Sequence, residues 1–121
     1  MKGTPPDLKK RTRDYALRII KLYAVLPRST EAQVLGKQLL RSGTSVGAHY
    51  REAQHAKSNA DFISKIEGGL QELEESAYWL ELLGESGIVP KHRLESLVSE
   101  TTELLAILVT IVKKVKQRQN S

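Results

Sequence analysis

Cysteine is absent from this 121-residue chain, and aromatic residues are scarce, with one Trp and one Phe. The lack of cysteine excludes a disulfide scaffold, a Cys-ligated zinc or iron–sulfur site and a thiol nucleophile. Long apolar runs are also missing: the longest, Leu104 to Val109, has six residues, whereas a membrane span needs about 18 or more. The first residues lack the apolar stretch of a signal peptide, so we expect a cytoplasmic protein with no membrane partner.

The apolar residues that are present suffice for one hydrophobic core. They make up 40% of the chain, and the length suits a single domain over residues 1–121. They recur in steps of three and four along four segments, which is typical of amphipathic helices, and no segment alternates as a strand does. The pattern predicts helices at residues 7–26, 30–54, 59–84 and 91–117. Their short connections predict an all-α fold, an up-down-up-down four-helix bundle.

Local signals mark the helix ends. Asp7 and Ser58 can cap backbone N–H groups, and Pro27 stops the first helix. The second helix begins at Ser29 or Thr30, and Thr30 and Gln33 have the spacing of a capping box. These signals indicate at which residues the helices begin and end.

Glycines interrupt the second and third predicted helices, where each costs about 1 kcal/mol relative to alanine. They are Gly36, Gly43, Gly47, Gly68 and Gly69. No strand precedes them and no Gly-Lys-Ser/Thr follows, so they do not form a phosphate loop. We expect them to permit close helix packing, with Gly47 opposite Glu67 and Gly68; the alternative is a gap that holds a ligand.

Positive charge is concentrated in the first half of the chain. Residues 1–60 hold 12 Lys or Arg against 4 Asp or Glu, whereas residues 61–121 hold 7 against 10. With a pI of about 9.6, the basic half can face a polyanion, although part of it can pair with the acidic helices.

Several cations crowd the first turns of helix one, where the helix dipole disfavours them. A sequence that accepts this cost can be using the charges for a ligand. The candidate phosphate contacts are Lys9, Lys10, Arg11, Arg13, Arg18, Lys21, Arg41 and Arg51. The tyrosines occur singly and no helix-turn-helix pattern exists, so we expect binding that is largely independent of base sequence. The cations from Lys113 to Arg118 lie at a helix C-terminus, where the dipole favours them, and need no function.

Catalytic patterns are weak. Glu52 and His55 have the Glu-x-x-His spacing of di-iron bundles, but no second copy exists. The hydroxyls and histidines form no nucleophile elbow or triad. We therefore expect that this protein has no catalytic residue, no metal and no cofactor, and that it is not an enzyme.

The end of helix three and the middle of helix four are apolar around nearly the whole circumference. A helix that faces one core needs only a stripe, and too little chain remains to cover the surplus. We therefore expect a homo-oligomer. The interface candidates are Tyr78, Trp79, Leu82, Leu105, Val109 and Val112.

Two stretches resemble a known family. Residues 38–53, with Ser42-Gly43-Thr44-Ser45-Val46-Gly47, resemble the helix-two signature of the four-helix-bundle family of 23S rRNA intervening-sequence proteins. Residues 62–83, with Tyr78-Trp79-Leu80, are similar to its helix-three signature. His49 stands where the family usually has asparagine, and Ala53 replaces a frequent glycine.

The resemblance implies a homopentameric barrel. For the related accessory variability proteins of diversity-generating retroelements it also implies binding of nucleic acid and of a reverse transcriptase through a basic surface. The leading hypothesis is therefore a non-catalytic oligomer that binds RNA or DNA, with RNA as the first candidate. Such an oligomer can also bind a nucleic-acid-processing protein. The alternatives are an adaptor for an acidic protein partner, without nucleic acid, and a metal-dependent bundle enzyme.

Overall fold

The computed structural model describes residues 7–119, and every regular element in that range is an α-helix. The helices are α1 (Leu8–Ala24), α2 (Thr30–Gln54), α3 (Asn59–Glu85) and α4 (Lys91–Gln119), whose ends differ from the predicted bounds by at most two residues. None of these helices is long and apolar enough to cross a membrane. The first residues, on which the expectation of no signal peptide depends, lie outside the described range.

Side chains cap the helices much as the sequence indicates. Asp7 accepts a hydrogen bond from the backbone N–H of Lys10, and Ser58 accepts one from Asp61. The predicted capping box at Thr30 is wrong, because Ser29 caps α2 instead. The Gln33 side chain turns toward the α1–α2 connection, where its amide donates to the Pro27 carbonyl at 3.0 Å.

Helices that follow each other along the chain pack side by side. α2 packs most extensively on α3, and α1 and α4 flank this pair. Between α2 and α3, Arg41 meets Glu75 and His49 meets Gly68, so residue numbers rise along one helix and fall along the other. The contacts of α1 with α2 and of α3 with α4 follow the same antiparallel sense.

The core runs through the middle of the four-helix bundle. Its fully buried side chains include Ile19, Leu39, Leu73 and Leu104, one from each helix. Burying a side chain of this size contributes about 1.5–3 kcal/mol. This gain in free energy is the reason why the apolar stripes of all four helices face inward.

The glycines of α2 bring it close to α1. A Cβ on Gly43 would overlap the side chain of Ile19, and one on Gly47 would lie 3.2 Å from the Thr12 hydroxyl. The expectation that Gly47 faces Glu67 and Gly68 is therefore wrong. Positions two apart on a helix point about 200° apart, so it is His49 that covers Gly68 on the other side of α2.

Candidate nucleic-acid interface

The structure divides the predicted phosphate contacts into paired and unpaired cations. Arg11 donates to both carboxylate oxygens of Glu100, at 3.0 and 2.6 Å, and to Glu103 at 3.2 Å. These hydrogen bonds, chiefly those with Glu100, raise the pKa of the Arg11 guanidinium. Its side chain is 29% exposed, so Arg11 joins α1 to α4 and leaves little of its charge for a ligand.

Four other candidates also have partners. Arg41 bridges α2 to α3 through Glu72 at 3.2 Å and Glu75 at 2.5 Å. Arg18 donates to the Ser96 hydroxyl, which ties α1 to α4. On α1 itself, Lys10 and Arg13 both approach Asp14, and the hydrogen bond from Lys10 is the main cause that lowers the pKa of that carboxyl.

The three remaining candidates are Lys9, Lys21 and Arg51, which are exposed and make no ion pair within residues 7–119. The contacts of Thr12 with Gly47 and of Ile19 with Gly43 set the register of α1 against α2. This register places Lys9 level with Arg51 on the adjacent helix. Two cations without an ion pair in the described chain therefore lie at the same level, where α1 begins and α2 ends.

The charge of the whole bundle is divided between its two ends. We call residues 7–14, 48–67 and 109–119 the basic pole; they hold 11 Lys or Arg against 5 Asp or Glu, a net charge of +6. The remaining described residues hold 7 against 9, a net charge of −2. We draw the boundary between the two ends of the bundle at the level of three contacts between helices. These contacts are Thr12 with Gly47, His49 with Gly68 and Gly69 with Leu108.

Sequence analysis missed this pole because it compared the two halves of the chain rather than the two ends of the fold. The first turns of α1 and the last turns of α4 are about 100 residues apart in sequence. Antiparallel packing of four helices brings both to the end that also carries the α2–α3 turn. The even number of helices is the signal from which this could have been inferred.

A shallow hollow of about 420 Å³ confirms that these segments meet. It lies between the end of α2, the α2–α3 turn and the end of α4. Its lining includes Gln54, Lys57, Asn59, Phe62 and Arg118. Arg118, near the C-terminus of α4, is thus a neighbour of the turn.

The predicted interface residues differ in exposure. Tyr78 is 52% exposed with its ring 5.1 Å from that of Trp79, whose indole N–H is buried and has no hydrogen-bond partner in the described chain. Val109 is 38% exposed, while Leu82 and Leu105 are half-buried. Val112 is only 7% exposed and belongs to the core, so it has little surface left for an interface.

Sequence analysis did not identify other apolar side chains that are exposed. Leu17 and Ile20 are 48% and 45% exposed on α1. Val25, Val34 and Val98 are also exposed. Leu17 and Ile20 lie off the buried stripe of α1, which is the signal from which their exposure could have been inferred.

The histidines and carboxylates do not converge as metal ligands. His49 has Glu52 at 3.5 Å from Nδ1 and Glu72 at 3.9 Å from Nε2, so the two carboxylates lie beside different ring nitrogens. His55 ends α2 and is exposed. Over residues 7–119, no group of three His, Asp or Glu side chains is arranged to hold a metal ion.

Comparisons with known proteins agree with this bundle. The family model for 23S rRNA-intervening sequence proteins matches residues 7–110. A crystal structure of a protein of unknown function, from the S23 ribosomal protein family of Bacteroides thetaiotaomicron, is 42% identical with a TM-score of 0.82; the match covers 87% of this chain and 94% of that one. The comparison with curated proteins found no match. The family model covers most of the chain, and this protein therefore belongs to the 23S rRNA-intervening sequence protein family.

Proposed function

We propose that this protein is a non-catalytic, oligomeric four-helix bundle that binds nucleic acid through a basic surface, with RNA as the first candidate ligand. The observation that carries the proposal is the net charge of +6 at one end of the bundle. Acidic partners within the chain neutralise several cations there, but Lys9 and Arg51 stay exposed and without an ion pair in the described chain. Unneutralised Lys and Arg release counterions when they contact phosphates, which supplies sequence-independent affinity.

The proposed assembly is a homo-oligomer of up-down-up-down bundles, with a pentamer favoured by the resemblance to the family. Antiparallel contacts between neighbouring helices support the topology. Exposed apolar side chains on several helices, such as Leu17, Tyr78 and Val98, support self-association. Each protomer would add its own cations to the same ligand, so a weak surface would become an effective one.

Fluorescence anisotropy with labelled RNA and DNA hairpins tests the proposal. We expect binding of both, with a dissociation constant of about 1–100 µM at physiological salt and much tighter binding at 50 mM salt. A double variant, Lys9→Gln with Arg51→Gln, should weaken binding and reduce the salt dependence. The matched control is Arg18→Gln with Arg41→Gln, which removes the same charge from cations that already have partners and should change binding less.

Absence of binding to either hairpin at 50 mM salt would overturn the proposal. An adaptor that meets an acidic protein partner would then be the better hypothesis. Equal losses in the two double variants would show instead that total charge, rather than the unpaired cations, determines binding.

A further inference from the structure

We propose that the binding surface is the basic pole as a whole, including Lys113 and Lys114 of α4, and that its ligand is a double-stranded nucleic acid. This inference rests on the proposed function and specifies which surface binds and which class of nucleic acid it takes. It assigns a role to cations whose place at a helix C-terminus would by itself require none.

The end of α4 is held against the rest of the basic pole. Lys116 pairs with Glu67 of α3 at 3.3 Å, and Val115 and Arg118 line the hollow that Lys57 also lines. Lys113 and Lys114 are exposed on the same turns of α4 and make no ion pair within residues 7–119. Their charges are therefore available at the same end of the bundle as the α2–α3 turn.

The available cations of the pole come from different helices. Lys9 lies on α1, Arg51 on α2, Lys57 in the turn, and Lys113 and Lys114 on α4. Packed helices lie about 8–10 Å apart, so these charges form a two-dimensional array rather than one line. The grooves of a B-form duplex separate its phosphate rows by about 6 and 12 Å. An array of this width can therefore contact both strands of a duplex.

The described residues of the pole include no fully exposed aromatic ring on which unpaired bases could stack. Proteins that bind single strands without sequence preference use exposed aromatic rings as stacking platforms. The aromatic side chains of the basic pole, Tyr50 and Phe62, are half-buried, and burial is the main cause that raises the pKa of Tyr50. Tyr78 is exposed but lies toward the opposite end of α3. The surface thus suits phosphates rather than bases.

The test compares two matched double variants of the full chain. Lys113→Gln with Lys114→Gln removes two cations from the basic pole, and Arg28→Gln with Lys37→Gln removes two exposed cations from the other end. The probes are a labelled 20-base-pair DNA duplex and an unstructured DNA single strand of the same length, titrated by anisotropy between 50 and 200 mM salt. Circular dichroism melting of each variant checks that it is folded.

We expect the wild-type protein to bind the duplex at least about tenfold more tightly than the single strand at 50 mM salt. The Lys113 and Lys114 variant should weaken duplex binding by about tenfold. It should also reduce the slope of log affinity against log salt by about 0.9 for each phosphate that the variant no longer neutralises. The Arg28 and Lys37 variant should stay within about twofold of wild type.

Four results would contradict the inference in different ways. Equal or tighter binding of the single strand would overturn the choice of a duplex but leave the proposed function intact. Equal losses in the two variants, or unchanged binding in the Lys113 and Lys114 variant, would overturn the assignment of the surface to the pole. Failure of the wild-type protein to bind either probe would overturn the proposed function itself.

Discussion

The phenol of Tyr15 lies 2.7 Å from the hydroxyl of Thr101, in the centre of the bundle and out of reach of water. This pair joins α1 to α4, which contact each other only sparsely. Ser42 and Ser76 form a similar pair between α2 and α3 at 2.8 Å, and Ser76 also interacts with Tyr15. One hydroxyl from each helix therefore contributes to a buried polar layer, which favours one register of the four helices.

Removing the phenol hydroxyl should weaken the bundle modestly. In Tyr15→Phe the Thr101 hydroxyl keeps its hydrogen bond to the Leu97 carbonyl, so no donor is left unpaired. We expect the free energy of unfolding to fall by about 1 kcal/mol, the usual net value of one hydrogen bond. Urea unfolding measures this free energy, and an unchanged midpoint would show that the hydrogen bond between Tyr15 and Thr101 contributes nothing to stability.

Stability should also decline in alkali because of Tyr15. Burial is the main cause that raises the pKa of this phenol above its ordinary value of 10.0. Above about pH 10 the unfolded chain loses the proton while the folded chain retains it, so stability is constant below that pH and falls as pH rises. Melting temperatures between pH 9 and 11.5 should show the decline in the wild-type protein and a smaller one in Tyr15→Phe. The decline does not vanish in Tyr15→Phe, because Tyr50 also has a raised pKa and still lowers stability as the pH rises.

A methyl group at Gly43 should separate α1 from α2. The added Cβ would overlap the side chain of Ile19, which is fully buried. We expect Gly43→Ala to cost about 1–3 kcal/mol, the range for overpacked cores. Gly84→Ala is the matched control, since its Cβ would meet only ordinary contacts at 3.4 Å and alanine favours a helix. Equal melting temperatures for the two variants would contradict the close packing.

Arg11 should contribute to stability more than to binding. Arg11→Gln removes the two hydrogen bonds to Glu100, whose side chain is only 19% exposed. We expect a loss of about 1 kcal/mol in the free energy of unfolding, because the pair is partly screened by water. Affinity for an RNA hairpin should stay within about threefold of wild type, whereas Lys9→Gln should show the reverse pattern. A larger loss of affinity in Arg11→Gln would place this guanidinium on the ligand.

Self-association should depend on Tyr78, the exposed member of the Tyr78–Trp79 pair. Light scattering of the wild-type protein at micromolar concentration is expected to give an oligomer, with five copies favoured. Tyr78→Glu adds a charge where the side chain is half-exposed, so it should reduce the mass without unfolding the monomer. The control is Glu74→Gln, one turn away on α3 and also exposed. A monomeric wild-type protein, or a Tyr78 variant of unchanged mass, would count against this interface.

The sequence by itself determined the local structure. The apolar periodicity places Ile19, Leu39, Leu73 and Leu104 in the core, because a repeat of three and four residues leaves one face of a helix to bury. Asp7 and Ser58 begin their helices because a side-chain oxygen can satisfy an otherwise unpaired backbone N–H. The motifs of α2 and α3 were also enough to indicate the family.

Only the tertiary structure decided which charges are available. The partner of Arg11 is 89 residues away, and whether Arg11 meets Glu100 depends on the register of α1 against α4. The same holds for Gly47, whose neighbour is Thr12 because of the direction in which that position points on α2. The gathering of Lys9 and Lys113 at one pole likewise follows from packing four antiparallel helices, since local periodicity fixes the inward face of a helix but not the helix beside it.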